Sequence, residues 1–151
     1  MEPGQTRALV LRKENVTKLQ YDNPPRTVYL WVDSSVGAKH LDFGMVELEP
    51  GQYPPEHSHA VAEEAMWVHR GRGLVRIDGQ EFPVEEGMLV FAPPGVRHQF
   101  VNTGSEKMVV VYAYAPPGTE AQFQLRKKGS GGAISPADLP GPGTAAPSAK
   151  K

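Results

Sequence analysis

The stretch PPEHSHAVAEEAMWVHRG, residues 54–71, sets two histidines one residue apart and follows them with the adjacent glutamates Glu63 and Glu64. Side chains on a strand return to the same face every second residue, about 7 Å apart, so His57 and His59 can converge on one ion. A third ligand is available in the glutamate pair. If residues 64–70 form a strand, Glu64, Met66 and Val68 share one face, while Glu63, Ala65, Trp67 and His69 share the other. A close-packed barrel interior accepts the Met66 and Val68 face more readily, which selects Glu64 as the inward carboxylate. A bulge between the two glutamates would invert that choice.

Downstream, GMLVFAPPGVRHQFVN (87–102) reads as a strand, a sharp turn and a returning strand. Pro93 presets φ and Gly95 supplies a positive-φ position, so the turn would carry His98 back toward the two earlier histidines. Phe100 shares the face of His98. The rest of the chain is dominated by period two. TVYLWVD (27–33) alternates Val28, Leu30 and Val32 with Tyr29 and Trp31, and HLDFGMVELE (40–49) carries Leu41, Phe43 and Met45 on alternate positions. Asp78-Gly79, between LVRI and QEFPV, is a hairpin signal because both central residues of a type I′ turn need positive φ. With no sustained helical period, roughly ten short strands predict an all-β sandwich or barrel, and a jelly roll closes that number naturally.

These residues are similar to a known pattern. The spacing G-x5-H-x-H-x4-E-x6-G is met by Gly51, His57, His59, Glu64 and Gly71, and G-x5-P-x-G-x2-H-x3-N by Gly87, Pro93, Gly95, His98 and Asn102. The chain resembles the cupin superfamily, with both motifs intact within residues 51–102 and the short spacing of single-domain microbial members. The resemblance implies a cupin-type jelly-roll β-barrel (double-stranded β-helix) holding one divalent transition metal per chain. Carried over position by position, the metal ligands are His57, His59, Glu64 and His98. Such a ligand set suits Fe, Mn, Ni, Cu, Co or Zn.

Three imidazoles and one carboxylate leave positions open on an octahedral ion, so a small-molecule substrate can bind it directly. The leading expectation is a dioxygenase or related oxidoreductase acting on a phenol, diketone, hydroxy acid or sugar derivative. A redox-neutral isomerase, decarboxylase or lyase is the alternative, and a non-enzymatic small-molecule or metal-binding module stands beside both. Tyr53, Met66 and Phe100 are candidate lining residues of the substrate pocket; no general base beyond the metal centre is assigned. His69 and His40 read as surface groups, and Glu63 as a solvated neighbour. Trp67, Tyr29 and Trp31 fall on predicted outer faces, where a homodimer would cover them.

Composition removes other classes. The 151 residues carry a net charge of -1 with both signs interspersed, which gives no footprint for nucleic acid or a membrane surface. The basic run Arg126, Lys127 and Lys128 reads as a solvated terminus. Zero cysteines exclude a thiol mechanism and leave the fold indifferent to redox compartment. No apolar run approaches the length of a membrane span, and the ALVL run at 8–11 is too short for a secretory core, so a cytoplasmic protein is expected. There is no G-x-S-x-G elbow, and GRGLVR lacks the third glycine of a dinucleotide fingerprint. The domain is assigned to residues 1–128. Residues 129–151, rich in Gly, Pro and Ala, are expected to be a disordered tail, because they offer too little apolar surface to offset ordering entropy.

Overall fold

In a computed structural model that describes residues 8–118, the period-two runs become nine strands. They are β1 (Thr17–Asp22), β2 (Pro25–Val32), β3 (Asp42–Leu48), β4 (Glu63–Arg70), β5 (Arg72–Ile77), β6 (Gln80–Glu85), β7 (Leu89–Ala92), β8 (His98–Val101) and β9 (Met108–Ala115). A six-stranded sheet in the order β1-β2-β3-β9-β4-β7 faces a three-stranded sheet in the order β6-β5-β8. Every strand pair is antiparallel. Among the described residues no helix is long and apolar enough to cross a membrane. The basic run at 126–128 and the segment 129–151 lie outside the described residues.

Register sorts the barrel interior into rows. Leu19 faces Val28, Val28 faces Val46, Val46 faces Val110, and Val110 faces Val68. The next row runs Leu30, Gly44, Tyr112, Met66 and Val90. One step further along the same strands come Asp42, Tyr114, Glu64 and Ala92. Strand parity therefore delivers Glu64 to the interior, in a row with Asp42 and Tyr114 at one end of a stack whose inner rows are mainly apolar. The Asp78-Gly79 hairpin forms as read, with φ of 47° and 83° at the two central residues.

The register also settles which side chains face outward. On β3 the alternation of Leu41, Phe43 and Met45 lies outside, and the barrel is filled by Val46 and Leu48 beside Asp42 and Gly44. Tyr29, expected on an exposed outer face, is 6% exposed. It packs with Met45 and Val109, and the Lys13 and Lys18 ammonium groups lie over its ring at 4.7 and 6.0 Å. Long lysine stems cover an aromatic face while keeping their charge in water, so the chain shields this ring itself. Trp31 is half-buried in the same cluster, whereas Trp67 remains 43% exposed.

Candidate metal centre

His57 and His59 do not sit on a regular strand. The segment that carries them lies along β8 and is tied to it by separate backbone contacts. Gly51 donates to the Asn102 carbonyl at 2.8 Å, and Asn102 donates to that of Gln52 at 3.0 Å. The Gln99 side chain donates to the Pro54 carbonyl at 2.8 Å. His57 and His98 then form a bridge, exchanging N–H···O bonds of 3.1 and 2.8 Å. Beyond it the Pro93-Pro94-Gly95 turn closes, and the Gly95 N–H reaches the His59 carbonyl at 2.7 Å. Gly95 has φ of 85°, which is why the turn takes glycine there. An ion pair between Arg97 and Glu56 at 2.9 Å links the residues just before the two bridged histidines. The two halves of the site are thus joined by backbone, and their side chains follow.

Those side chains meet closely. One potential ligand atom from each of His57, His59, Glu64 and His98 lies within 4.8 Å of all the others. Glu64 Oε2 is 3.0 Å from His59 Nε2 and 2.7 Å from His98 Nε2. His98 is 1% exposed, Glu64 3% and His59 9%. The opposite ring nitrogens are already committed: His57 Nδ1 lies 2.9 Å from the Pro55 carbonyl and His98 Nδ1 3.0 Å from that of Val96. A carbonyl can only accept, so each Nδ1 carries a proton; the neutral His57 ring keeps its lone pair on Nε2, whereas Nε2 of His98 donates to the Glu64 carboxylate.

The electrostatics are those of one buried carboxylate shared by imidazoles. Burial, with His98 adding to it, pushes His57 down to about 4, so that ring is neutral near pH 7. Burial alone would raise Glu64, but hydrogen bonds with His59 and His98 prevail and hold the carboxyl at about 2. Burial also opposes charge on His98, and the Glu64 hydrogen bond reverses this, leaving His98 above its ordinary value. The donor set passes a simple test of fit. With bonds of about 2.0–2.2 Å, neighbouring ligands of one ion lie roughly 3 Å apart and opposed ones roughly 4.3 Å. The observed separations need only a small closing movement.

The remaining sequence candidates are dispersed. Glu63 is exposed and Glu64 buried, and the irregularity in β4 falls between Val68 and Arg70, away from the glutamates. Met66 (2% exposed) and Phe100 (5%) belong to the main apolar core. Tyr53 is 45% exposed, and His40 and His69 are on the surface. Asn102, matched by motif spacing, is fully buried; its amide donates to the carbonyls of Leu48 and Glu106, both at 2.8 Å, and fastens the strand ends. Three interior groups near the cluster were missed: Tyr112, Tyr114 and Asp42. The signal for the tyrosines was the alternation in VVVYAYA, which puts both on one face of β9. Asp42 was hidden by the apolar alternation of its neighbours.

Comparison with known proteins agrees with this architecture. The Cupin domain family model matches residues 44–114. Over 87 residues the chain is 33% identical to the Tetracenomycin polyketide synthase protein TcmJ of Streptomyces glaucescens, covering 58% of each chain. Over 66 residues it is 32% identical to a Gentisate 1,2-dioxygenase of Ralstonia sp, covering 44% of this chain and 19% of the relative. The chain thus spans little more than half of the first relative and a fifth of the second. Among solved structures, a predicted oxalate decarboxylase from Thermotoga maritima superimposes with a TM-score of 0.65 at 20% identity, over 71% of this chain and 98% of that one. Family model, strand topology and both motifs coincide on the same residues, and residues 44–114 of the chain form a cupin domain.

Proposed function

We propose that His57, His59, Glu64 and His98 hold one divalent transition metal per chain, and that the domain is an enzyme acting on a small oxygen-containing organic molecule of the polyketide type, a phenol or polycarbonyl compound. The observation that carries the reading is the convergence of four potential ligand atoms, two of them on the buried residues Glu64 and His98, within 4.8 Å at one end of the barrel. Three imidazoles left to pack around one carboxylate would be costly to desolvate without an ion to satisfy them. When bound, such an ion supplies a Lewis acid for carbonyl or phenolate oxygen and, if redox-active, access to dioxygen.

The protein's own part is orientation and water exclusion. The Pro55 and Val96 carbonyls keep the His57 and His98 rings turned with Nε2 inward, as outer partners of ligating histidines do. Loading requires His98 to release the Nε2 proton that Glu64 stabilises. Met66 and Phe100 close the interior beside the cluster and keep its local dielectric low. Redox-neutral chemistry on a polycarbonyl compound is the first reading, because the likeness to the polyketide synthase protein covers more of the chain. Dioxygenation is the second, supported by the likeness to Gentisate 1,2-dioxygenase.

A panel of polycarbonyl compounds and phenols, incubated with protein of known metal content in an oxygen electrode, separates the two. Products that keep the substrate mass or lose water, with no oxygen uptake, fit the first reading. Products that gain two oxygen atoms with matching uptake fit the second. Both activities should vanish on chelation and in His98→Ala; turnover that survives either treatment removes the metal centre from the reaction.

We also propose that the chain forms a homodimer through the outer face of the larger sheet. There Trp67 lies opposite Leu89 and Ala65 opposite Phe91, leaving Trp67, Leu89 and Phe91 43, 56 and 54% exposed. A contiguous apolar strip of this kind is unusual on a monomer. Sedimentation should give twice the chain mass for the wild type and the chain mass for Trp67→Glu; a monomeric wild type would contradict the assignment.

A further inference from the structure

His57 and His98 are each braced by a carbonyl two residues back. The His59 ring meets an aromatic neighbour, the Tyr114 ring, which stands 4.6 Å away, centroid to centroid, at 70°. This is the edge-to-face arrangement in which the positive edge of one ring meets the negative face of another. Tyr114 in turn packs 4.9 Å from Tyr112, its neighbour two residues back on the same face of β9. Both tyrosines are interior, 6% and 5% exposed.

Tyr112 has a defined seat. It lies opposite Gly44 of β3, and a Cβ placed on Gly44 would come within 2.2 Å of the Tyr112 hydroxyl and 2.3 Å of the ring carbon that bears it. The phenol ring therefore lies across the β3 backbone in space that only glycine leaves open. Gly44, Tyr112, Tyr114 and His59 form a continuous packed series from the neighbouring strand β3 to a ligand of the candidate centre.

We propose that Tyr114 is a positioning residue for His59, and that Tyr112, seated on Gly44, holds Tyr114 in place. The role belongs to the ring, since the contact with His59 is aromatic. Its consequence for metal affinity rests on the metal-site reading given above; its consequence for the His59 ring does not. The ring of Tyr114 fixes the orientation in which Nε2 of His59 faces Glu64. A β3 residue that touches no ligand thereby controls one.

The test compares Tyr114→Phe, Tyr114→Leu and Gly44→Ala with the wild type by two measurements on the full chain. The first is the imidazole proton and nitrogen spectrum of the three histidines without metal; the second is titration with cobalt(II), read by visible absorption. In Tyr114→Leu, the His59 resonances should shift and broaden while those of His57 and His98 stay sharp. Cobalt(II) should bind about two- to tenfold more weakly, with a displaced visible band. Tyr114→Phe should restore both, and Gly44→Ala should reproduce part of the loss. An unmoved His59 in Tyr114→Leu overturns the inference, as does a Phe variant as impaired as Leu or an equal disturbance of all three histidines. If the wild type takes up no cobalt(II), the metal-site reading fails, and the histidine spectra still decide the role of Tyr114.

Discussion

The two ends of the barrel interior both bury charge, in opposite ways. At one end Arg26, 6% exposed, stacks its guanidinium 3.8 Å from the Tyr21 ring centroid and donates to the Pro24 carbonyl at 2.9 Å. Burial pulls this arginine down to about 10, yet one ring and one carbonyl suffice to keep a single cation in place. The other end gathers three imidazoles around one carboxylate, whose Oε2 lies 3.0 and 2.7 Å from two of them. The first end is a plug. The second brings four potential ligand atoms together, and the apolar rows between them let stability and ligation be altered separately.

Removing the apolar support should give the largest effect. Leu48 is fully buried at the Arg26 end, one register step beyond the Thr27–Glu47 pair. Leu48→Ala should cost about 2–5 kcal/mol of unfolding free energy in a denaturant titration. Metal affinity of the folded fraction should stay unchanged, and a parallel loss of affinity would mean that the ends are not independent. Next in size is the carboxylate itself. Glu64→Gln should weaken metal binding by about 10- to 100-fold while Glu63→Gln leaves it alone, measured by competition with a chelator; equal losses would overturn the strand parity that separates them.

Much of the site could be read from the chain before any geometry was available. The parity argument for Glu64 needs only Met66 and Val68 on the same face, and the return of His98 needs only the Pro93-Pro94-Gly95 turn. What was not legible depends on partners far away in sequence. HSH looks like a strand, yet its position comes from a ladder of bonds to residues 95–102. Tyr29 reads as an outward aromatic because its cover, Lys13 and Lys18, comes from segments whose register the pattern does not reveal. On β3 both faces carry apolar residues, so periodicity alone does not tell whether Phe43 and Met45 or Val46 and Leu48 line the barrel. Tyr112 and Tyr114 could be placed on one face but not beside His59, since β9 and residue 59 meet only after the sheet has formed.

A smaller effect should follow from the turn. Gly95 has φ of 85° with nothing near its missing Cβ, so Gly95→Ala introduces backbone strain without a clash. A loss of about 1–2 kcal/mol in thermal or chemical unfolding is expected. Because Gly95 binds the His59 carbonyl, a modest drop in metal affinity should accompany it; Gly87→Ala, equally strained at φ of 92° but remote from the ligands, should lose stability alone.

A separate effect is the pH dependence of the metal-free protein. His57 is lowered to about 4 in the fold, so between pH 6.5 and 4 the unfolded chain binds a proton that the native state refuses, and stability falls as pH falls. Glu64, lowered to about 2, extends that decline from pH 4.5 downward. His98 is raised, so its contribution is complete below pH 6.5 and is lost as pH climbs through its folded value. Melting temperature should therefore be highest near pH 6.5 and decline on both sides. A Glu64→Gln variant should lose the alkaline decline, because the hydrogen bond that raises His98 is weakened.

The account stands on one claim, that His57, His59, Glu64 and His98 act together as a single metal site. Elemental analysis of protein purified without added metal tests it most directly, with His57→Ala and His98→Ala measured alongside. The account predicts close to one equivalent of a divalent transition metal in the wild type and almost none in either variant, with the strand content of all three unchanged. A wild type that carries no metal and takes none up, or variants that retain a full equivalent, would contradict it.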